Sequence, residues 1–123
     1  MKLLLVEDNI ENAKLVMSIL KTDGFEVMHT VSGLEGMSLA RKDTYDGILL
    51  DFDLPDIDGS QVGLALRKRL PATPIIALTA HADRLTRSKA KIFGFNAFIS
   101  KPFTDEDLLG TVHKLVDAIP SEE

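Results

Sequence analysis

The chain has 123 residues, enough for one compact domain and short for two. Hydrophobic residues make up 45%, so a core can form without covalent staples, and the absence of cysteine removes disulfides, thiolate metal sites and cysteine nucleophiles and suits a reducing compartment. The net charge of -5 argues against direct nucleic-acid binding, and no apolar run approaches the roughly 20 residues of a membrane span, so the expectation is a soluble cytoplasmic protein.

Short apolar runs alternate with helical periods, the pattern of an α/β fold with helices on both faces of a parallel sheet. Leu3-Leu4-Leu5-Val6 reads as a fully buried strand. Ile10, Ala13, Val16 or Met17, and Leu20 then fall three or four apart and mark one face of a helix. Asp8 or Asn9 is placed to cap it, and Gly24 fits just past its end. Glu26 to Val31 is a weaker strand. Ser32-Gly33-Leu34-Glu35 has capping-box spacing and opens a helix to about Arg41, with Gly36 inside it at a cost of about 1 kcal/mol relative to alanine.

Tyr45 to Phe52 holds the third strand, and a turn-rich segment follows, Asp53-Leu54-Pro55-Asp56-Ile57-Asp58-Gly59. Asp58 is a plausible cap for a helix from about Ser60 to Leu70. Pro74 to Thr79 is the fourth strand. A basic helix is expected from about Arg84 to Phe93, with Gly94 at its end, and Ala97-Phe98-Ile99 is the fifth strand. Thr104, with Asp107 three residues on, starts a last helix that reaches Ala118 before Pro120.

Polar residues collect at the strand ends. Glu7 and Asp8 follow the first strand, Asp51 ends the third, Thr79 the fourth, and Lys101 follows the fifth. In an open parallel sheet the carboxyl ends share one edge, where ligands bind, so these five side chains are expected in one cleft. Three carboxylates there would repel one another unless a cation intervened, and oxygen-only ligands favour a hard ion, magnesium or manganese. Asp51 is then the candidate nucleophile, because a short carboxylate at a strand end can form an acyl phosphate. Lys101 would neutralise phosphoryl oxygens, and the Thr79 hydroxyl would donate to one. Taken singly, each residue also has an ordinary reading: a helix-end acid pair, a turn acid, a capping hydroxyl, a surface lysine.

The segments Leu5-Val6-Glu7-Asp8-Asn9, Asp51 to Gly59, Leu78-Thr79-Ala80 and Ser100-Lys101-Pro102-Phe103, in that order, resemble the receiver domain of two-component response regulators, the CheY-like family, from Lys2 to Ile119. The resemblance implies a flavodoxin-like (βα)5 sandwich of strand order 2-1-3-4-5, with residues 1–119 as the receiver and 120–123 as a tail. It also implies a signalling domain rather than an enzyme, one that catalyses its own phosphorylation and slow dephosphorylation. Asp51 matches the phosphoacceptor. Asp8 matches the direct metal ligand, Glu7 a ligand acting through water, and Asp53 the backbone carbonyl that completes the site. Thr79 and Lys101 match the switch hydroxyl and the phosphate-binding lysine. Ala80 matches the small residue whose N–H faces the phosphoryl group, and Lys101-Pro102 matches a peptide that is usually cis.

Phe98 matches the aromatic switch position, where many receivers carry tyrosine; phenylalanine has no hydroxyl to anchor it. Asp53 and His81 flank the path of a hydrolytic water and are expected to tune the lifetime of phospho-Asp51. His29 and His113 lack metal-ligand spacing and read as ordinary surface or partly buried histidines. The implied partners are a sensor histidine kinase or a histidine phosphotransfer protein, and a downstream protein target through the 84–118 region, with self-association a further option. A stand-alone receiver is the expectation. Two rival classes stay open on the residues alone: an aspartate-nucleophile phosphohydrolase that uses Asp53 as general acid/base, and a receiver-like module that binds partners without phosphate.

Overall fold

A computed structural model of the chain describes residues 1–81, 85 and 87–117. Its strands are β1 (Lys2–Val6), β2 (Glu26–Thr30), β3 (Gly47–Asp51), β4 (Ile75–Thr79) and β5 (Ala97–Ser100). All neighbouring pairs run parallel, in the order β2-β1-β3-β4-β5. Between them lie α1 (Ile10–Thr22), α2 (Gly33–Lys42), α3 (Gly59–Arg69), α4 (Arg87–Ile92) and α5 (Asp105–Val116). Fold class and strand order are as expected from the sequence. The expected ends of the fourth and fifth helices, Arg84 and Ala118, lie outside the described residues.

The apolar strands serve two cores because successive side chains point to opposite faces. Leu4, Val6, Ile48, Leu50, Ile75 and Ala77 face one core, closed by Ala40, Val62, Leu66 and Ala90 from α2, α3 and α4. Leu3, Leu5, Leu49, Ile76 and Leu78 face the other, closed by Ala13, Val16, Leu20, Leu108, Val112 and Val116 from α1 and α5. Burial on both faces is why these strands read as continuous apolar runs rather than alternating ones.

Helix ends follow local chemistry. Asn9, Asp58 and Thr104 each accept a backbone N–H as N-cap, and Thr104 with Asp107 completes a reciprocal capping box. Ser32 caps α2 by accepting from Glu35 N, but the Glu35 carboxylate takes the Thr30 hydroxyl instead of closing the expected box. A second acid replaces it. Asp56, from the loop after β3, accepts from Ser32 Oγ, Gly33 N and Leu34 N at 3.0, 3.1 and 3.2 Å. Gly24 and Gly94 end α1 and α4 with φ of 95° and 93°, a conformation that favours glycine.

A second expectation fails beside the unclosed capping box of α2. Ile10, placed on the buried face of α1 by periodicity, is 50% exposed at the first position of the helix, and Ala13, Val16 and Leu20 carry the buried face. Gly36 is in place for packing: a Cβ there would lie 2.7 Å from Val6 Cγ2. The helix-propensity cost of this glycine is the condition for α2 approaching β1.

Candidate functional site

Register brings the polar strand ends together. Val6 lies opposite Leu50, Asp51 opposite Leu78, and Thr79 opposite Ser100. Glu7, Asp51, Thr79 and Lys101 therefore leave neighbouring strands at one edge. Glu7 is fully buried and Asp51 is 3% exposed, while Asp8 reaches solvent. One carboxylate oxygen from each of Glu7, Asp8 and Asp51 lies within 4.8 Å of the other two.

The Lys101 ammonium bridges two of these acids, 2.7 Å from Glu7 Oε1 and 3.2 Å from Asp51 Oδ2. Glu7 Oε2 accepts from Asn9 N at 3.3 Å, and the Glu7 carbonyl meets His29 Nε2 at 2.9 Å, which fixes the turn after β1. Asp51 Oδ1 accepts from Asp53 N at 2.8 Å. Burial, then the neighbouring Glu7 carboxylate, pushes the Asp51 carboxyl up to about 6, against the opposing pull of the Asp53 N–H and Lys101. Burial by itself would lower the Lys101 ammonium, yet Glu7 and Asp51 outweigh it and the net shift is upward.

A cation fits this donor set. The oxygens are hard, they are close, one of the acids is open to solvent, and two buried acids share a single lysine. Glu7, Asp8 and Asp51 are the side chains that could hold it.

The Thr79 hydroxyl donates to Asp53 Oδ2 at 3.3 Å, and Ala80 N donates to the same oxygen at 3.2 Å. Thr79 Oγ1 in turn accepts from His81 N at 2.9 Å. Lys101 N donates to the Thr79 carbonyl at 2.7 Å, tying the start of the last loop to the end of β4, and the Lys101-Pro102 peptide is cis. Phe98 is half-buried on β5 against the core beneath α2, α3 and α4, and His81 is exposed.

Residues 3–113 match the model of the response regulator receiver domain. The chain belongs to that family. Among curated relatives it is 35% identical over 116 residues to the cell cycle transcriptional regulator CtrA of Caulobacter vibrioides, covering 94% of this chain and 50% of that one. The chain thus spans about half the length of the curated relatives it matches.

Among solved structures, this receiver is similar to the receiver domain of a sensor histidine kinase of Pseudomonas aeruginosa PAO1. The TM-score is 0.87 at 31% identity, over 95% of this chain and 98% of that one. That structure has a magnesium ion coordinated in its active-site cleft. A second neighbour, the response regulator TrrA of Thermotoga maritima in complex with Mg(2+)-BeF, gives 0.85 at 28% identity, over 93% and 97% of the two chains.

All the expected cleft residues meet in this receiver: Glu7, Asp8, Asp51, Asp53, Thr79, Ala80 and Lys101. Sequence reasoning missed that the Asp53 side chain reaches across to β4. It assigned Asp53 a backbone ligand and a tuning role, and nothing in the linear spacing of residues 53 and 79 brings the two together.

Proposed function

We propose that this receiver accepts a phosphoryl group on Asp51 from a phosphohistidine donor, with a divalent cation, and that the modified state changes its affinity for a protein partner. The observation that carries this reading is the Lys101 ammonium 3.2 Å from a buried Asp51 carboxylate, with Glu7 and Asp8 beside it. An Asp51 oxygen attacks phosphorus, the P–N bond to the donor imidazole breaks, and its electron pair and a proton end on that nitrogen. Lys101 offsets charge on the phosphoryl oxygens, and the Ala80 N–H and Thr79 hydroxyl would donate to them. Asp53 N holds the other oxygen of the nucleophile. When bound by Glu7, Asp8 and Asp51, with the Asp53 carbonyl, magnesium or manganese supplies the charge neutralisation that three adjacent carboxylates and a phosphoryl group require. Water attack on the same phosphorus releases phosphate and regenerates Asp51, and Asp53 and His81, flanking the cleft, set how fast.

In this reading the donor is a sensor histidine kinase or a histidine phosphotransfer protein. The target docks on the 84–118 region, of which residues 85 and 87–117 are described. There, Arg87, Lys91, Phe95, Phe98 and Lys114 line a groove of about 550 Å³. Thr79 moving toward the phosphoryl group, with Phe98 following into the core, would couple site and groove as two states of one balance.

Incubation with acetyl phosphate and magnesium tests the chemistry. The expected result is stoichiometric, hydroxylamine-sensitive labelling that Asp51→Asn abolishes. Turnover of many small phosphate esters would instead mark a phosphohydrolase, and no labelling at all a module that works without phosphate.

A further inference from the structure

Thr79 Oγ1, at the end of β4, and the N–H of Ala80, the next residue, are neutral donors at the cleft, and both already have an acceptor. That acceptor is a single oxygen, Asp53 Oδ2, at 3.3 and 3.2 Å. The bond to Ala80 is at the upper end of the range for a backbone donor, and the one to Thr79 is long for a hydroxyl. Asp53 is exposed whereas Thr79 is fully buried, so an exposed loop acid is reaching inward to a buried hydroxyl. Its own backbone N–H is at the same time fixed on Asp51 Oδ1 at 2.8 Å. Backbone on the nucleophile and side chain on the β4 donors make Asp53 a bridge across the cleft.

We infer that the Asp53 carboxylate is an internal competitor for the phosphoryl group: it occupies the donors that phosphoryl oxygens need, and it must swing out before they can bind. The inference rests on the phosphoacceptor reading and goes beyond it by assigning the resting state an autoinhibitory contact. A carboxylate and a phosphoryl oxygen cannot share two donors, because like charges at hydrogen-bond range repel strongly in a partly buried site. The Thr79 hydroxyl, bonded to Asp53 at rest and accepting from His81 N, is held by neighbours that must rearrange when it turns. Asp53 thus acts through the donors rather than on the reacting atoms, as a positioning residue.

The test uses the whole chain and three variants, Asp53→Asn, Asp53→Ala and Asp51→Asn. In metal-free protein, Asp53→Ala should shift the Ala80 amide resonance and raise its hydrogen-exchange rate by about fivefold or more, the equivalent of one hydrogen bond lost. With magnesium and beryllofluoride as a phosphoryl mimic, affinity should rise in the order wild type, Asp53→Asn, Asp53→Ala, by about fivefold at the last step, and acetyl phosphate labelling should quicken in the same order. A gain is the discriminating sign, since removal of a merely structural contact would leave binding the same or weaker. An unchanged Ala80 amide, or beryllofluoride affinity equal to or below wild type in both Asp53 variants, overturns the inference. If wild type and Asp51→Asn alike neither label nor bind beryllofluoride, the phosphoacceptor reading fails instead, and the metal-free amide measurement still reports whether Asp53 holds Ala80.

Discussion

Asp51 shows how one side chain carries opposed demands. A nucleophile must be ionised, but burial and Glu7 raise its pKa to about 6. For an acid raised in the folded state, the folded protein holds the proton longer than the unfolded chain, so stability falls as pH rises from about 4 to about 6. In metal-free buffer, thermal melts should show this slope in wild type and its loss in Asp51→Asn, which should melt higher at neutral pH. Cation binding reverses the sign of the effect, because the ionised cluster is what binds. At a magnesium concentration 100 times its dissociation constant, stability should rise by about 2.7 kcal/mol, and by much less in Asp8→Asn. Calorimetry with and without chelator reads both. Asp8 and Asp51 were identifiable from the sequence as acids at strand ends, but no pattern in it gives the burial that raises one and leaves the other in solvent.

Elements are held in place by contacts between segments distant in sequence. Asp56 holds the first turn of α2 through three hydrogen bonds, and these, against the opposing effect of burial, keep its carboxyl below the ordinary range. Asp56→Ala should cost about 1 kcal/mol at neutral pH, as for loss of an N-cap, and the gap should close as pH falls below the ordinary carboxylate pKa and through the lowered folded value, where wild type loses the same bonds. Gly36→Ala should destabilise by about 1–3 kcal/mol although alanine is the better helix former, because its Cβ meets Val6 at 2.7 Å. Urea unfolding measures both. His113 joins α5 to the end of α1: its ring contacts Asp23 and lies 2.7 Å from Asp117, with Phe25 beside it. These hydrogen bonds, Asp23 first, raise its pKa. A raised histidine pKa adds stability that is complete below the unfolded value and is lost as pH rises through the folded one. Wild type should therefore exceed His113→Asn by more at pH about 5.5 than at pH about 9 in thermal melts. The sequence made His113 an ordinary surface or partly buried histidine; its partners are 90 and 4 residues away, and the more distant one is supplied by packing alone.

At the scale of the molecule, the order of elements was set by local chemistry that a linear reading can follow. Runs such as Leu3 to Val6 and Ile75 to Leu78 are apolar on both faces because helices cover both faces, and Asn9, Asp58 and Thr104 start helices by their own side chains. Burial of alternate residues in two cores then fixes register, and register delivers Glu7, Asp51, Thr79 and Lys101 to one edge. What the sequence alone determined was therefore the fold class and the helix starts at Ser32, Asp58 and Thr104, which depend on neighbours a few positions away, and it offered the polar strand-end residues as candidates for one cleft. Only the tertiary structure decided that Lys101 spans Glu7 and Asp51, that Asp56 caps a helix from another loop, and that Asp53 sits on Thr79 and Ala80. These contacts join residues 22 to 94 positions apart, and their geometry depends on how strands and helices pack, which local spacing does not encode.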